Sequence, residues 1–314
     1  MIPIFIPSYK RANNLKTVSY FLKRGYDAKK IFVVIDNETS DISEYERQSK
    51  KNGFNLRIFD IKEGREKYDF VHRASLSRRA AGLSRNMFYD IAENEGIKFY
   101  CVQDDDTSGY QIKTSKGVYL RTATLKDIQL FFEGVKEYME RLHIGCFGLS
   151  QTGDFIGGGE AGCKTVIRKK VMNTTFINTD YIYKGERGVQ DDDTSQFVGI
   201  HNEGYFTGSM STGLVLQQTQ SCTQQGGLTE LYNECKLLNK ALVVPIQYPS
   251  CAIAEKQVKN GGRIHHRINY RYLCPKILRI PGAMDNIAWD TYASDGKFTN
   301  EPQNRWKLTN EPQN

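Results

Sequence analysis

Three consecutive carboxylates, Asp104-Asp105-Asp106, follow closely on an apolar run, Ile97 to Val102 (IKFYCV). Adjacent carboxylates repel one another, so folding them at a strand end is costly unless a cation compensates. Oxygen donors alone suit Mg²⁺ or Mn²⁺, ions that commonly also hold substrate phosphates. The plain alternative is a solvated acidic turn, because aspartate is common where strands end. The strand directly before the triplet favours the cation, with Asp104 and Asp106 as its ligands. The surrounding heptapeptide, VQDDDTS at 102–108, recurs at 189–195. A second triplet, Asp191-Asp192-Asp193, therefore precedes Thr194-Ser195-Gln196-Phe197, where residue types alone read as a helix N-cap.

Positioning these groups falls to alternating strands and helices. Pro3 to Pro7 (PIFIP), Lys30 to Asp36 (KIFVVID), Leu56 to Ile61 and Ile97 to Val102 read as strands. Asn14 to Lys23 and Ser75 to Asn94 carry apolar residues at helical spacing. Such alternation means parallel pairing and right-handed crossovers, hence an open α/β sheet with its ligand site at the carboxyl ends of the strands. Asp36 and the first acidic triplet sit at such ends. Thr124 to His143 is the strongest helix, with Thr124 and Asp127 making a capping-box-like start, and Gly145 to Leu149 follows as a strand. Residues 150–227 are rich in Gly, Thr, Ser and Gln, which predicts short strands and loops. Leu228 to Leu238 predicts a helix and Ala241 to Ile246 (ALVVPI) a strand. No linker interrupts the chain, so 1–150 and 151–295 read as a regular and a less regular half of one domain. The repeated TNEPQN at 299–304 and 309–314 marks 296–314 as a polar tail.

Composition bounds the function. The 314 residues are 39% hydrophobic and 25% charged, which excludes a disordered chain. Lys and Arg total 43 against 36 Asp and Glu, a net charge of +7. That excess suits an anionic partner, nucleic acid or a phosphate-bearing substrate, without choosing between them. No apolar run approaches the roughly 18 residues of a membrane span, and no basic segment precedes the first apolar residues as in a signal peptide. The seven cysteines include no Cys-x-x-Cys pair, against structural zinc and a disulfide framework. Reduced thiols and a cytoplasmic location are the expectation.

Four pieces occur in order: Pro7-Ser8-Tyr9-Lys10-Arg11 after the first strand, Asp36 after the second, Gly82-Leu83-Ser84-Arg85-Asn86 at a helix start, then Asp104-x-Asp106. With them, residues 1–200 resemble a GT-A nucleotide-sugar glycosyltransferase. The resemblance implies a Rossmann-like, open, mostly parallel sheet flanked by helices, with a nucleotide-sugar-binding half at 1–150 and an acceptor-binding, catalytic-base half at 151–295. It implies a nucleotide-sugar donor, a UDP-sugar first, held by Pro7, Ser8, Tyr9, Arg11, Asp36, Arg65, Arg85, Asp104 and Asp105. It also implies Mn²⁺ or Mg²⁺ on Asp104 and Asp106. The family places a histidine late in the chain as a further metal ligand, here His265 or His266 in GGRIHHRINYRY, with His201 a weaker competitor. Neighbouring strand residues face opposite ways, so only one of the pair can serve. Inverting members carry an acidic motif at a helix start beneath the acceptor. Gln190-Asp191-Asp192 stands in that slot, with Gln where Glu is usual. Asp192 is then the expected general base, with Asp191 and Asp193 beside it. Arg11, Arg65, Lys67 and Arg85 would neutralise the leaving diphosphate, whereas Arg73, Arg78 and Arg79 read equally well as a solvated helix face.

For the acceptor, Glu255 to Arg279 carries seven basic residues (Lys256, Lys259, Arg263, Arg267, Arg271, Lys276, Arg279) against one acid, interleaved with Tyr270 and Tyr272. Basic and aromatic side chains suit a phosphate backbone and unstacked bases. Lys164, Arg168, Lys169 and Lys170 would extend this shelf, and the alternative is a loop that closes over the donor. PIFIPSYKRANN, SRRAAGLSRN and the doubled QDDDTS resemble phage-type and TET-associated DNA glycosyltransferases. That narrower resemblance implies a DNA acceptor, the hydroxyl of a 5-hydroxymethylpyrimidine such as 5-hydroxymethylcytosine, presented outside the base stack. It also implies a bacteriophage source and the host cytoplasm, with 157–162 and 217–227 lining the acceptor channel. The rivals are a glycan, protein or small-molecule acceptor, and a metal-dependent nucleotidyltransferase. A Gly-rich phosphate loop is missing for the latter. A plain DNA-binding module is disfavoured because two acidic triplets repel a phosphate backbone.

Overall fold

A computed structural model describes residues 1–68, 81–116, 119–150, 165–167, 170, 171, 173–181, 192–217, 237–256 and 264–273. Four strands, β1 (Ile4–Pro7), β2 (Ile31–Asp36), β3 (Asn55–Phe59) and β4 (Phe99–Val102), pair in parallel in the order β3-β2-β1-β4. Parallel pairing puts Pro7, Asp36 and Val102 at one edge, so the segments that leave these strands converge there. Beyond β4 the sheet turns mixed. β9 (Thr175–Asn178) runs antiparallel to β4 and to β7 (Ile144–Ser150), which pairs in parallel with β10 (Phe206–Gln217). The hairpin of β5 (Thr107–Lys116) and β6 (Tyr119–Thr124) closes that side, and β8 (Thr165–Ile167) joins β10.

Both faces are covered, which is why the central strands read as unbroken apolar runs. Alternation sends Ile4, Ile6, Ile31, Val33 and Ile35 to one core and Phe5, Phe32 and Val34 to the other. α1 (Lys16–Lys23), α2 (Ile42–Asn52) and α5 (Ile128–Leu142) pack on the first through Val18, Phe21, Tyr45, Phe132 and Met139. α3 (Ile61–Lys67) and α4 (Ala81–Asn94) cover the second through Ile61, Leu83, Phe88 and Tyr89. α6 (Asp192–Asn202) belongs to two cores. Ile200 enters the second, while Phe197 and Val198 join a third with α7 (Leu237–Gln247), β11 (Ala252–Lys256) and α8 (Tyr270–Leu273). β11 and β12 (Ile264–Ile268) form a separate antiparallel pair. No helix among the described residues is long and apolar enough to cross a membrane.

Gly148 in β7 is required by close approach. A Cβ there would lie 2.1 Å from Val171 Cγ1 and 3.0 Å from the Thr174 carbonyl oxygen.

The expected strand at Ala241 to Ile246 is instead part of α7. Ala241 and Val244 within it and Tyr248 just past its end are buried, at helical rather than alternating spacing, and a short apolar run does not settle its own period. α5 begins at Ile128, capped by Asp127 Oδ1 accepting from the Leu130 N–H at 2.9 Å, because Thr124 is already paired to Gln111 in the hairpin. Residues 75–80 and 228–236 of the expected helices lie outside the described residues, as do the tail 296–314 and the loop 157–162.

Candidate active site

The acidic turn after β4 is fixed from beneath by a buried polar network. Gln103 donates through Nε2 to Thr107 Oγ1, and its Oε1 accepts from Tyr110 Oη and Thr174 Oγ1, each at 2.6 Å. Thr17 on α1 clamps the main chain, with Oγ1 donating to the Asp104 carbonyl at 2.5 Å and accepting from the Thr107 N–H at 2.9 Å. Gln103, Thr17, Thr107 and Thr174 are fully buried, so each bond is made away from water and would be costly to lose.

On this base the three carboxylates have different surroundings. Asp104 Oδ1 is 3.3 Å from Arg85 Nη2 of α4. Asp105 turns inward, where Oδ1 accepts from Arg11 Nη1 at 2.6 Å and Oδ2 from Ser8 Oγ at 2.7 Å. Burial pushes the Asp105 carboxyl up to about 6, against the downward pull of Arg11 and Ser8. Asp106 is buried too, yet among the described residues its Oδ1 has no hydrogen-bond partner, and its Oδ2 lies 3.8 Å from Arg11 Nη1. Desolvation pulls the Arg11 guanidinium down, but Asp105, Asp106 and Asp104 together raise it overall. A buried carboxylate oxygen with no donor fits a cation.

The other expected donor contacts are grouped less closely. Pro7, Ser8, Tyr9 and Arg11 leave β1 beside this turn, and the Tyr45 hydroxyl of α2 accepts from the Arg11 N–H at 3.0 Å. Asp36 is buried at the end of β2, with Oδ1 accepting from the Glu38 N–H at 2.9 Å. Arg65 is half-buried on α3, while Lys67 pairs with Asp90 at 2.8 Å.

Asp192 is the first residue of α6, and Asp191 lies outside the described residues. Asp193 Oδ2 pairs with Lys170 Nζ at 2.8 Å, and its Oδ1 accepts from the Thr194 N–H at 2.8 Å. A small cleft lies beside the second triplet. Arg85, the partner of Asp104, and Asp193 both line it, with Asn173, Thr175 and Gln196, over a floor that includes Tyr89 and Val171. Gln196 is held by Nε2 donating to Tyr89 Oη at 2.8 Å.

The histidines stand elsewhere. His265 and His266 lie in β12, opposite Glu255 and Ala254 of β11, and His201 is fully buried with Nε2 3.0 Å from Thr207 Oγ1. Among the described residues no three of His, Cys, Asp and Glu, those of the first triplet included, are gathered as a metal site. Thr17, Tyr45, Thr174 and Gln196 were not singled out by the sequence. Gln196 directly follows the second repeated heptapeptide, which is the one local signal any of them carries; Thr17 and Tyr45 reach the site only through tertiary packing.

A family model described as TET-Associated Glycosyltransferase matches residues 2–227. Curated protein sequences give no match. Among solved structures, a mannosyltransferase from Pyrobaculum calidifontis in complex with GDP-Man and Mn²⁺ aligns with TM-score 0.41 and 12% identity, over 66% of this chain and 53% of its own. The present chain thus spans about half the length of that enzyme. Glucosyl-3-phosphoglycerate synthase from Mycobacterium tuberculosis, in complex with Mn²⁺, UDP and glucosyl-3-phosphoglycerate, aligns with TM-score 0.41 and 8% identity over 85% of this chain and 86% of its own. A cytidylyltransferase from Leptospira borgpetersenii reaches TM-score 0.32 and 12% identity over 57% and 60%. Likeness this distant carries no chemistry from one protein to another.

Proposed function

The chain belongs to the TET-associated glycosyltransferase family, and we propose that it transfers a sugar from a nucleoside-diphosphate sugar to the hydroxymethyl group of a modified pyrimidine in DNA, with inversion. The observation that carries the reading is the buried, donorless Oδ1 of Asp106 inside an acidic turn at the carboxyl edge of the parallel strands. Asp104 and Asp106 would hold Mn²⁺ or Mg²⁺, which supplies positive charge to the diphosphate as the sugar departs. Arg85, on the cleft side of Asp104, adds fixed positive charge there.

In the displacement, the acceptor oxygen bonds to the anomeric carbon as the bond from that carbon to the diphosphate oxygen breaks. The bonding pair leaves with the nucleoside diphosphate. Asp192, at the start of α6, takes the acceptor proton. Asp193 is less available for this role because its carboxylate is already engaged by Lys170 and the Thr194 N–H. Support for a polyanionic acceptor comes from the family and from the β11–β12 pair with α8 after it, where Lys256, Arg267 (3.2 Å from Glu255) and Tyr272 of the basic segment are exposed.

The test is release of UDP from UDP-glucose with Mn²⁺, with and without hydroxymethylated duplex DNA, repeated with other nucleotide sugars. Stimulation by hydroxymethylated but not unmodified DNA is the expected result. Stimulation by glycans or small hydroxyl acceptors alone would replace the DNA acceptor, and pyrophosphate release from a nucleoside triphosphate would replace the reaction.

A further inference from the structure

We propose that Asp105 is a positioning residue that sets the affinity of the acidic turn for a divalent cation by holding the Arg11 guanidinium away from Asp106. This rests on the reading of Asp104 and Asp106 as the cation site.

Four residues from three segments, Asp105 among them, close a ring. Its two oxygens take Arg11 Nη1 and Ser8 Oγ, Ser8 Oγ meets Tyr45 Oη at 2.8 Å, and Tyr45 Oη accepts from the Arg11 N–H at 3.0 Å. Arg11 is thereby tied at both its main chain and its side chain. The same Nη1 that lies 2.6 Å from Asp105 lies 3.8 Å from Asp106 Oδ2. Two carboxylates therefore compete for one guanidinium, and the ring decides for Asp105. Asp106 Oδ2 is thereby kept out of a close pair with Arg11, beside an Oδ1 that has no hydrogen-bond partner among the described residues.

Neutralising Asp105 removes that choice. Arg11 then has Asp106 as its one carboxylate partner within ion-pair reach among the described residues, and a short pair there opposes a cation in the same place. Removing Arg11 and the Asp105 charge together takes away a pair of net charge zero and leaves Asp106 available, a change that buried ion pairs often tolerate.

Mn²⁺ binding measured by calorimetry without donor, on wild type, Asp105→Asn and Asp105→Asn/Arg11→Met, tests this, with thermal unfolding alongside. Asp105→Asn should weaken Mn²⁺ by about tenfold or more, and the double variant should return to within roughly threefold of wild type. A double variant as weak as the single one would make Asp105 itself a ligand and overturn the proposal, as would unchanged binding in Asp105→Asn. Should the single variant fail to fold, the double decides alone: near-wild-type affinity supports the proposal and a tenfold loss defeats it. Wild type that binds no Mn²⁺, or binding that survives Asp106→Ala, would remove the cation reading itself. Wild-type binding without recovery in the double variant removes only the role of Asp105.

Discussion

The same seven residues, VQDDDTS, build two different structures in this molecule. In the first copy, Val102 ends β4, the carboxylates form a turn, and Thr107 begins β5. In the second, Asp192 opens a helix that takes in Thr194 and Ser195. Local sequence is constant, so the difference lies in what surrounds it. The Gln103 carboxamide and Thr107 find buried partners on β5, on α1 and beside β9, which hold the chain in a turn. Thr194 and Ser195 face Lys170, Gln247 and Tyr248 instead. The first copy leaves one buried carboxylate oxygen without a donor, whereas Asp193 of the second is satisfied by Lys170 and by the Thr194 N–H. On the proposed reading the first triplet holds a cation, whereas the second begins a helix with Asp193 lining the cleft.

The sharpest way to break this division of labour is to exchange its roles. Asp106→Ala should abolish Mn²⁺ binding and lower kcat/KM by at least about a thousandfold, read by calorimetry and donor turnover. Asp192→Asn should leave Mn²⁺ and donor affinity intact while kcat falls about a hundredfold or more. Equal loss of binding in both variants would erase the contrast. Next in size is Gln103→Ala, which orphans the Thr107, Tyr110 and Thr174 hydroxyls and should cost about 3 kcal/mol in denaturant unfolding. Ser195→Ala in the second copy should cost about 1 kcal/mol.

Acid titration probes the first copy further. Burial holds the folded pKa of Asp105 at about 6, above its unfolded value. The folded state therefore binds the proton more tightly, and this group's contribution to stability is lost as pH rises from about 4 through about 6. In metal-free protein, wild-type stability relative to Asp105→Asn should fall by on the order of 2–3 kcal/mol between pH 4 and 7, followed by chemical unfolding at each pH. The smallest effect belongs to Lys170→Met. It frees Asp193 from a partly exposed pair and should cost no more than about 1 kcal/mol in thermal stability.

Legibility in the sequence followed burial. KIFVVID and FYCV declare themselves because β2 and β4 are covered on both faces, leaving no polar residue to confuse the period. The hairpin TSGYQIKTSK and YLRTAT was missed because polar residues break any apolar alternation along it. ALVVPI carries no period of its own and took the wrong one. Within the site, the acidic turn and the PSYKR segment were legible as residue types at a strand end. Which of three adjacent aspartates turns inward was not, since Tyr45 of α2 and Ser8 decide it from other parts of the chain. Nor did the sequence place His265 and His266, whose hairpin pairs apart from the main sheet.

Gly148 has a consequence for the cleft that no polar residue conveys. Val171 stands between them, touching the glycine's empty side-chain position on one face and lining the cleft on the other. A methyl group at position 148 would therefore press on Val171 and the Thr174 carbonyl. A change buried within the sheet thus reaches a residue of the cleft lining without altering a single carboxylate.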